Sequence, residues 1–419
     1  MLPVQGTAVP ITFPWMTEQQ AESGQRVTPL ELFFDLVFVF AITQVTGFLS
    51  RDPTWEGLLR GLLLLGVLWW AWAAFAWLTN TLNPEEGAVR IAVFASIAAM
   101  LIVSLATPNA FTTDGVIFGV AYFIVRAFHL VLYVIAGRGD RELLRAVAGL
   151  APFAILAPTL LILAGFLEGG TQLAVWGAAL AVDYAGPVVV GHMRGWRVSP
   201  EHFVERHGLV VIIALGESIV AIGVGAGGVS LDAGVIVAAL LGIAVASALW
   251  WSYFDWVIFI AQARLAEATG ADRATLARDL YSYLHLPMVA GIVLFALGMK
   301  TTLADVESPL ATIPAIGLCG GLALYFLAHV ALRLRIGGGL GHGRPLATIL
   351  LIALIPLAMG VPALTSLGLV AAVCAALIAY EAIRYREGRA WIRSRRGAFT
   401  MEEARTGGAR GRPQSPTSD

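Results

Sequence analysis

Charge is scarce in this sequence. Aspartate, glutamate, lysine and arginine make up 13% of its 419 residues, against about 25% in soluble domains. With 58% apolar residues, a water-soluble globule would expose large hydrophobic patches, so lipid is the expected solvent for most of the chain. Lysine is nearly missing, Lys300 being the single instance, and the net charge is -1, which leaves no overall basic field to recruit nucleic acid. The two cysteines, Cys319 and Cys374, lie inside apolar runs, where a thiol packs as a small hydrophobe; a disulfide framework and a cysteine zinc site are excluded.

Catalytic signatures are lacking as well. There is no HExxH and no Gly-x-Ser-x-Gly. The run Gly223-Val224-Gly225-Ala226-Gly227-Gly228 ends an apolar helix instead of following a strand, so neither the dinucleotide turn nor the P-loop applies. No enzyme activity, cofactor or metal is expected. Residues 1–28 show no basic stretch leading into an apolar run and a cleavage site, so no cleaved leader is expected.

What is present is apolar length. Runs separated by polar or Pro/Gly breaks predict helices near 29–49, 56–80, 88–107, 115–137, 143–166, 171–192, 203–225, 232–262, 281–300, 310–334, 346–360 and 362–384. Membrane β-barrels need alternating positions, and Leu62-Leu63-Leu64-Leu65 does not alternate. The expected fold is an all-α polytopic integral membrane protein of about twelve transmembrane helices.

Arginine placement tests that count. The N-terminus, the even-numbered loops and the C-terminal tail hold 23 of the 27 basic residues, Arg206 among them; the odd-numbered loops hold Arg51, Arg60 and Lys300, and Arg126 sits alone within a helix. Loops rich in arginine face the cytoplasm, so both termini are expected there, in the cell membrane. Residues 1–28 form a cytoplasmic segment and the basic, Gly/Pro/Ser-rich residues 385–419 a disordered tail.

The chain also repeats itself. Leu68-Trp69-Trp70-Ala71-Trp72 matches Leu249-Trp250-Trp251-Ser252-Tyr253 at an offset of 181 residues, Arg26-Val27-Thr28-Pro29 matches Arg197-Val198-Ser199-Pro200, and Tyr122-Phe123 matches Tyr325-Phe326. Two parallel six-helix repeats are expected, 29–192 and 193–384, a plan that transporters use with the site between the halves.

A charge within hydrocarbon is costly, so each needs a partner, a wet cavity or a proton. The candidate polar path comprises Glu31 and Asp35, four residues apart on one face of the first helix, Arg126 with His129 in the fourth, Asp183 in the sixth, Glu217 in the seventh and Asp255 in the eighth. His285 and His329 complete the set. Asp183 and Glu217 are the candidate partners of Arg126. Pro187, four residues after Asp183, frees a carbonyl there. Asp35, Asp183, Glu217 and Asp255 outnumber Arg126 four to one, so unless some are protonated the interior is negative, which favours a proton or metal cation over an anion.

The string RVTPLELFFDLVFVFAITQ, Arg26 to Gln44, and ERHGLVVIIALGES, Glu205 to Ser218, resemble the two signatures of the bacterial low temperature requirement A family. With the helix pattern, the likeness spans roughly residues 20–390. The matching motif residues are Glu31, Phe34, Asp35, Glu205, Arg206, Gly216 and Glu217. The resemblance implies a membrane protein tied to growth in the cold, with no role fixed for any of these residues. Phe33-Phe34-Asp35 is also distantly similar to the Phe-Ser-Asp motif of transmembrane-175 potassium channels, although Phe34 replaces the serine and Gly208-Leu209 replaces the second triplet.

The expected function is a cation- or proton-linked transporter or channel. The alternative is a structural or envelope-homeostasis membrane protein whose ion pairs only lock helices. The implied partners are the lipid bilayer and a monovalent cation or proton, without nucleic acid; no oligomeric state follows from the sequence.

Overall fold

In lipid, backbone polar groups must be satisfied within the segment, so long apolar runs become helices. The computed structural model follows this rule throughout residues 27–191 and 193–384, which it describes, for Trp256 by backbone alone. The expected N-terminal segment and basic tail lie almost wholly outside the described residues. Twelve helices are present among them: α1 Pro29–Arg51, α2 Trp55–Thr79, α3 Gly87–Asn109, α4 Gly115–Ala136, α5 Arg141–Ala164, α6 Gly169–Val189, α7 Pro200–Ala226, α8 Ala233–Glu267, α9 Gly270–Ala304, α10 Thr312–Arg335, α11 Gly343–Ala358 and α12 Ala363–Arg384.

Eleven of the twelve are long and apolar enough to cross a membrane. The exception is α11, whose 16 residues span about 24 Å at ~1.5 Å per residue, short of a hydrocarbon core of about 30 Å. The chain around it explains the shortness. A left-handed glycine, Gly341, precedes it, and Gly360 and Pro362 follow, all poor continuations of a helix.

Side chains set several of the starts. Thr28 and Glu31 form a reciprocal capping box at α1, with Pro29 in the first turn. Thr54, Asp140 and Asp232 cap α2, α5 and α8 by accepting from backbone N–H groups one turn in. The helices α8, α9 and α10 each contain a π-helical turn, at Tyr253–Val257, Arg278–Tyr283 and Ile316–Gly320.

Alternate loops share an end of the bundle, as the arginine pattern requires. At the arginine-rich end, Arg197 pairs with Asp140 and Arg335 with Asp279, and Arg273 donates to the carbonyl of Val198. At the other end, Leu310 N donates to Ala358 O and Leu364 N to Val306 O.

Most helices bury one face and present aliphatic side chains such as Leu36, Ile91, Leu240 and Ile349 outward. By contrast α2 and α9 are enclosed, with Leu63–Ala73 and Met288–Met299 buried almost without interruption. Small residues allow this closeness. A Cβ on Gly298 would lie 2.5 Å from the backbone N of Leu318, and one on Gly291 2.5 Å from the carbonyl of Gly321. Gly298→Ala should therefore force α9 and α10 apart and cost about 1–3 kcal/mol of stability. Gly223→Ala, whose Cβ meets nothing within 4 Å, should not. Thermal unfolding of the two variants in detergent, read by loss of the monodisperse chromatographic peak, checks the contrast; equal midpoints would contradict this packing.

Candidate functional site

The first helices of the two expected halves, α1 and α7, pack side by side, each opening on a hydroxyl residue followed by proline: Thr28-Pro29 and Ser199-Pro200. A four-residue step keeps side chains on one helical face. On α1 that face carries Glu31 and Asp35, and on α7 it carries His202 and Arg206. Arg206 Nη1 donates to Asp35 Oδ2 at 2.8 Å, and its Nε lies 3.6 Å from Glu31 Oε1. His202 Nε2 is 3.1 Å from Glu31 Oε1. The Asn80 side-chain nitrogen is 3.1 Å from His202 Nδ1, while Asn80 Oδ1 accepts from Ser199 N at 2.6 Å. With Asn80 donating, Nε2 carries the imidazole proton and donates to Glu31.

The remaining wall comes from α2. Trp72 Nε1 donates to Asp35 Oδ1 at 2.9 Å, and its ring lies 5.7 Å from the Arg206 guanidinium carbon, an attractive cation–π geometry. Phe34 packs beneath on Phe38 and Phe75. Arg206 is 0% exposed, and its Nε and Nη2 have no hydrogen-bond partner among the described residues.

Farther along the same seam, Glu217 of α7 is buried and accepts from the Thr43 hydroxyl of α1 at 2.6 Å. Among the described residues it enters no ion pair within 4.0 Å. Gly216 has open space where a Cβ would stand, and Glu205 is exposed, accepting from Val27 N at 3.3 Å.

A second polar group lies between α4 and α6. Arg126 Nη2 donates to Asp183 Oδ1 at 2.8 Å, and the Tyr122 hydroxyl donates to Asp183 Oδ2 at 3.1 Å. Of the two expected partners of Arg126, Asp183 is the one it meets. The α6 turn at Pro187 is braced from α9: Tyr283 donates to the carbonyl of Tyr184, and Arg278 to that of Pro187. A cavity of about 70 Å³ adjoins this pair, lined by Trp70, Trp77, His129, Tyr133 and Trp196 among others. Asp255 stands apart from both groups, in the π-turn of α8.

The path residues therefore divide into four places: Glu31 with Asp35, Glu217, Arg126 with Asp183, and Asp255. Arg206 joins Arg126 as a buried cation, yet Glu31, Asp35, Asp183, Glu217 and Glu381 are buried with them, so acids remain in excess among the described residues. Arg206, read from sequence as part of a basic loop, is the most enclosed arginine among the described residues, because α7 begins at Pro200 and buries its second turn at once. Arg344 and Glu381, unremarked in the sequence, form a part-buried pair at 2.8 Å between α11 and α12. His202, Trp72 and Asn80 were missed too. Two signals pointed there: Thr28-x-x-Glu31 is a capping-box pattern, and His202 and Arg206 repeat on α7 the spacing of Glu31 and Asp35.

A family model, bacterial low temperature requirement A protein, matches residues 26–379. The uncharacterized protein RA0937 of Rhizobium meliloti (strain 1021) is 30% identical over 313 residues, covering 72% of this chain and 75% of that protein. No solved structure matches.

Removing one partner of a buried pair strands the other, at a cost of about 3–5 kcal/mol, whereas replacing both by apolar residues is close to neutral. Arg126→Met and Asp183→Asn should each lower the unfolding midpoint in detergent strongly, and Arg126→Met combined with Asp183→Leu should recover most of the loss. A double variant as damaged as the sum of the singles would show that the pair is not what joins α4 to α6.

Proposed function

We propose that this chain, which belongs to the bacterial low temperature requirement A family, passes protons or a monovalent cation across the bacterial cytoplasmic membrane along the α1–α7 seam. The observation that carries this reading is Glu217, a buried carboxylate held by a threonine hydroxyl and by no ion pair among the described residues. The charge of Lys300 acts on it only from beyond ion-pair distance, which leaves the acid open to a proton or a mobile cation. On the same seam Glu31 and Asp35 hold further acid groups at the arginine-rich end, each already engaged with Arg206 or His202. This is a permeation protein and not an enzyme.

Two parallel six-helix repeats fit this seam. Glu31 and His202 are 171 residues apart, as are Asp35 and Arg206, and the same step relates Pro29 to Pro200. A residue bonded to its own repeat counterpart lies on the axis relating the halves, which is where parallel-repeat transporters place their sites. The arginine-rich end is the cytoplasmic one in this account.

A structural role is favoured by a different observation. The Arg126–Asp183 and Arg344–Glu381 pairs join α4 to α6 and α11 to α12 without any transported species. Flux separates the two. In proteoliposomes, the protein should dissipate an imposed proton or monovalent-cation gradient, and Glu217→Gln should reduce that flux at least about tenfold while the protein stays folded, as expected for loss of an essential ionisable site. Flux no greater than that of empty vesicles for every ion tried, or an unaltered rate in Glu217→Gln, would favour the structural role.

Orientation is checked separately. Green fluorescent protein fused after Asp419 should fluoresce in cells, and alkaline phosphatase at the same position should be inactive; the reverse pattern would overturn the assignment of the arginine-rich end.

A further inference from the structure

A cavity larger than the one beside Arg126 lies away from the α1–α7 seam. At the arginine-rich end, a space of about 230 Å³ opens between α8, α10, α11 and α12, and its wall includes Arg264, Arg333, Arg344, His329, His342 and Glu381. Three guanidinium groups and one carboxylate stand in this wall, and Arg264 and Arg333 each have a contact of their own.

The carboxylate is already committed. Arg344 grips Glu381 in a two-point pair, Nε to Oε1 at 2.8 Å and Nη2 to Oε2 at 3.2 Å, and also donates to the carbonyl of Ser252. Arg264 is bonded to Glu267 three residues on, with both side chains more than half exposed, a surface contact of little strength. It can turn to a stronger acceptor at small cost.

His329 is 1% exposed, yet it lines the cavity. Its Nδ1 donates to the Tyr325 carbonyl at 2.8 Å, and its Nε2 has no hydrogen-bond partner among the described residues. That nitrogen can accept from a P–OH group or, when protonated, donate to a phosphate oxygen. The glycine-rich connection before α11 closes over the cavity. Gly337 and Gly341 take left-handed φ of 80° and 71°, and a Cβ on Gly341 would stand 2.9 Å from Arg333 Nη1. Glycine there keeps the main chain against the guanidinium without a side chain filling the space.

We propose that this cavity binds a phosphate ester, with Arg264 and Arg333 supplying guanidinium donors and His329 an imidazole nitrogen. A tetrahedral anion with several oxygens suits cations arriving from different helices better than a planar carboxylate does, and arginine is the residue suited to engaging two oxygens at once. Basic recesses between membrane helices at this level hold anionic lipid headgroups. The exposed Leu340 at the rim, with Leu346 and Ile349 on α11, gives acyl chains a surface to lie on, and a soluble phosphate would use the same donors. The proposal stands independently of the permeation reading.

The test uses the full chain and two probes. Inorganic phosphate is titrated while the unfolding midpoint is followed, and native mass spectrometry compares retention of phosphatidylglycerol with phosphatidylcholine. The expected result is saturable binding of at least one of phosphate and phosphatidylglycerol. It should weaken about tenfold in Arg264→Gln and in Arg333→Gln, as for loss of a charge-assisted hydrogen bond. Arg51→Gln, at the opposite end of the bundle, should leave it unchanged. Stabilisation by phosphate identifies a soluble ester as a sufficient source, and preferential retention of phosphatidylglycerol identifies a headgroup; either supports the site. The proposal is overturned if neither probe binds, if the two lipids are retained equally and phosphate has no effect, or if both arginine variants bind as the parent does. Arg264 is a surface residue, so its substitution reports on binding even if Arg333→Gln fails to fold.

Discussion

A guanidinium cannot be left alone in a low-dielectric interior, and Arg206 is fully enclosed two turns into α7. That one requirement organises the centre of the protein. The charge is answered by Asp35, with Glu31 close by, so α1 must lie alongside α7 in matched register. Glu31 is shared with the cap of α1 and with His202, which ties the start of one half of the chain to the start of the other. Asp35 needs a second donor, and Trp72 brings α2 into the same group.

From there the aromatic face of α2 divides the interior. On one side Trp72 meets the α1–α7 charges. On the other, Trp69 donates to the Ser282 carbonyl, Trp77 to the Ser282 hydroxyl, and Trp70 stacks on Tyr184 at 4.2 Å. Indoles serve here because they combine large apolar area with one donor that needs a partner. Trp70 and Trp77 line the cavity beside Arg126, and α9, which carries Ser282 and Tyr283 in a π-turn, packs against both α2 and α7. The glycine contacts with α10 hold α9 in place.

Much of this was legible in the sequence, for reasons that are local. Apolar length gave the helices because lipid leaves few alternatives, and arginine spacing sorted the loops because it depends only on counting spans correctly. Arg126 was recognisable as buried because it lies far from any break, and Pro187 marked a turn that the structure shows braced by Tyr283 and Arg278. Arg206 was not recognisable in this way. It sits close to a polar loop, and whether such a residue snorkels to water or turns inward depends on the acids of a helix 171 residues away. Arg344 and Glu381 escaped for the same reason, each near a helix end and each made interior by the other. The extent of α11 was legible to within a few residues, 346–360 against Gly343–Ala358; counting apolar runs did not register that a helix so short falls below the length of the other eleven.

The centre of the account is that Asp35 and Arg206 join α1 to α7 as a directly coupled buried pair. A double-mutant cycle on thermal or denaturant unfolding of the purified protein, with Asp35→Asn, Arg206→Gln and the two together, measures that coupling. A coupling energy of about 2 kcal/mol or more, with the double variant no worse than the poorer single, is expected for groups sharing one buried bond. Losses that simply add would show that the two side chains act independently and that something else holds the halves together.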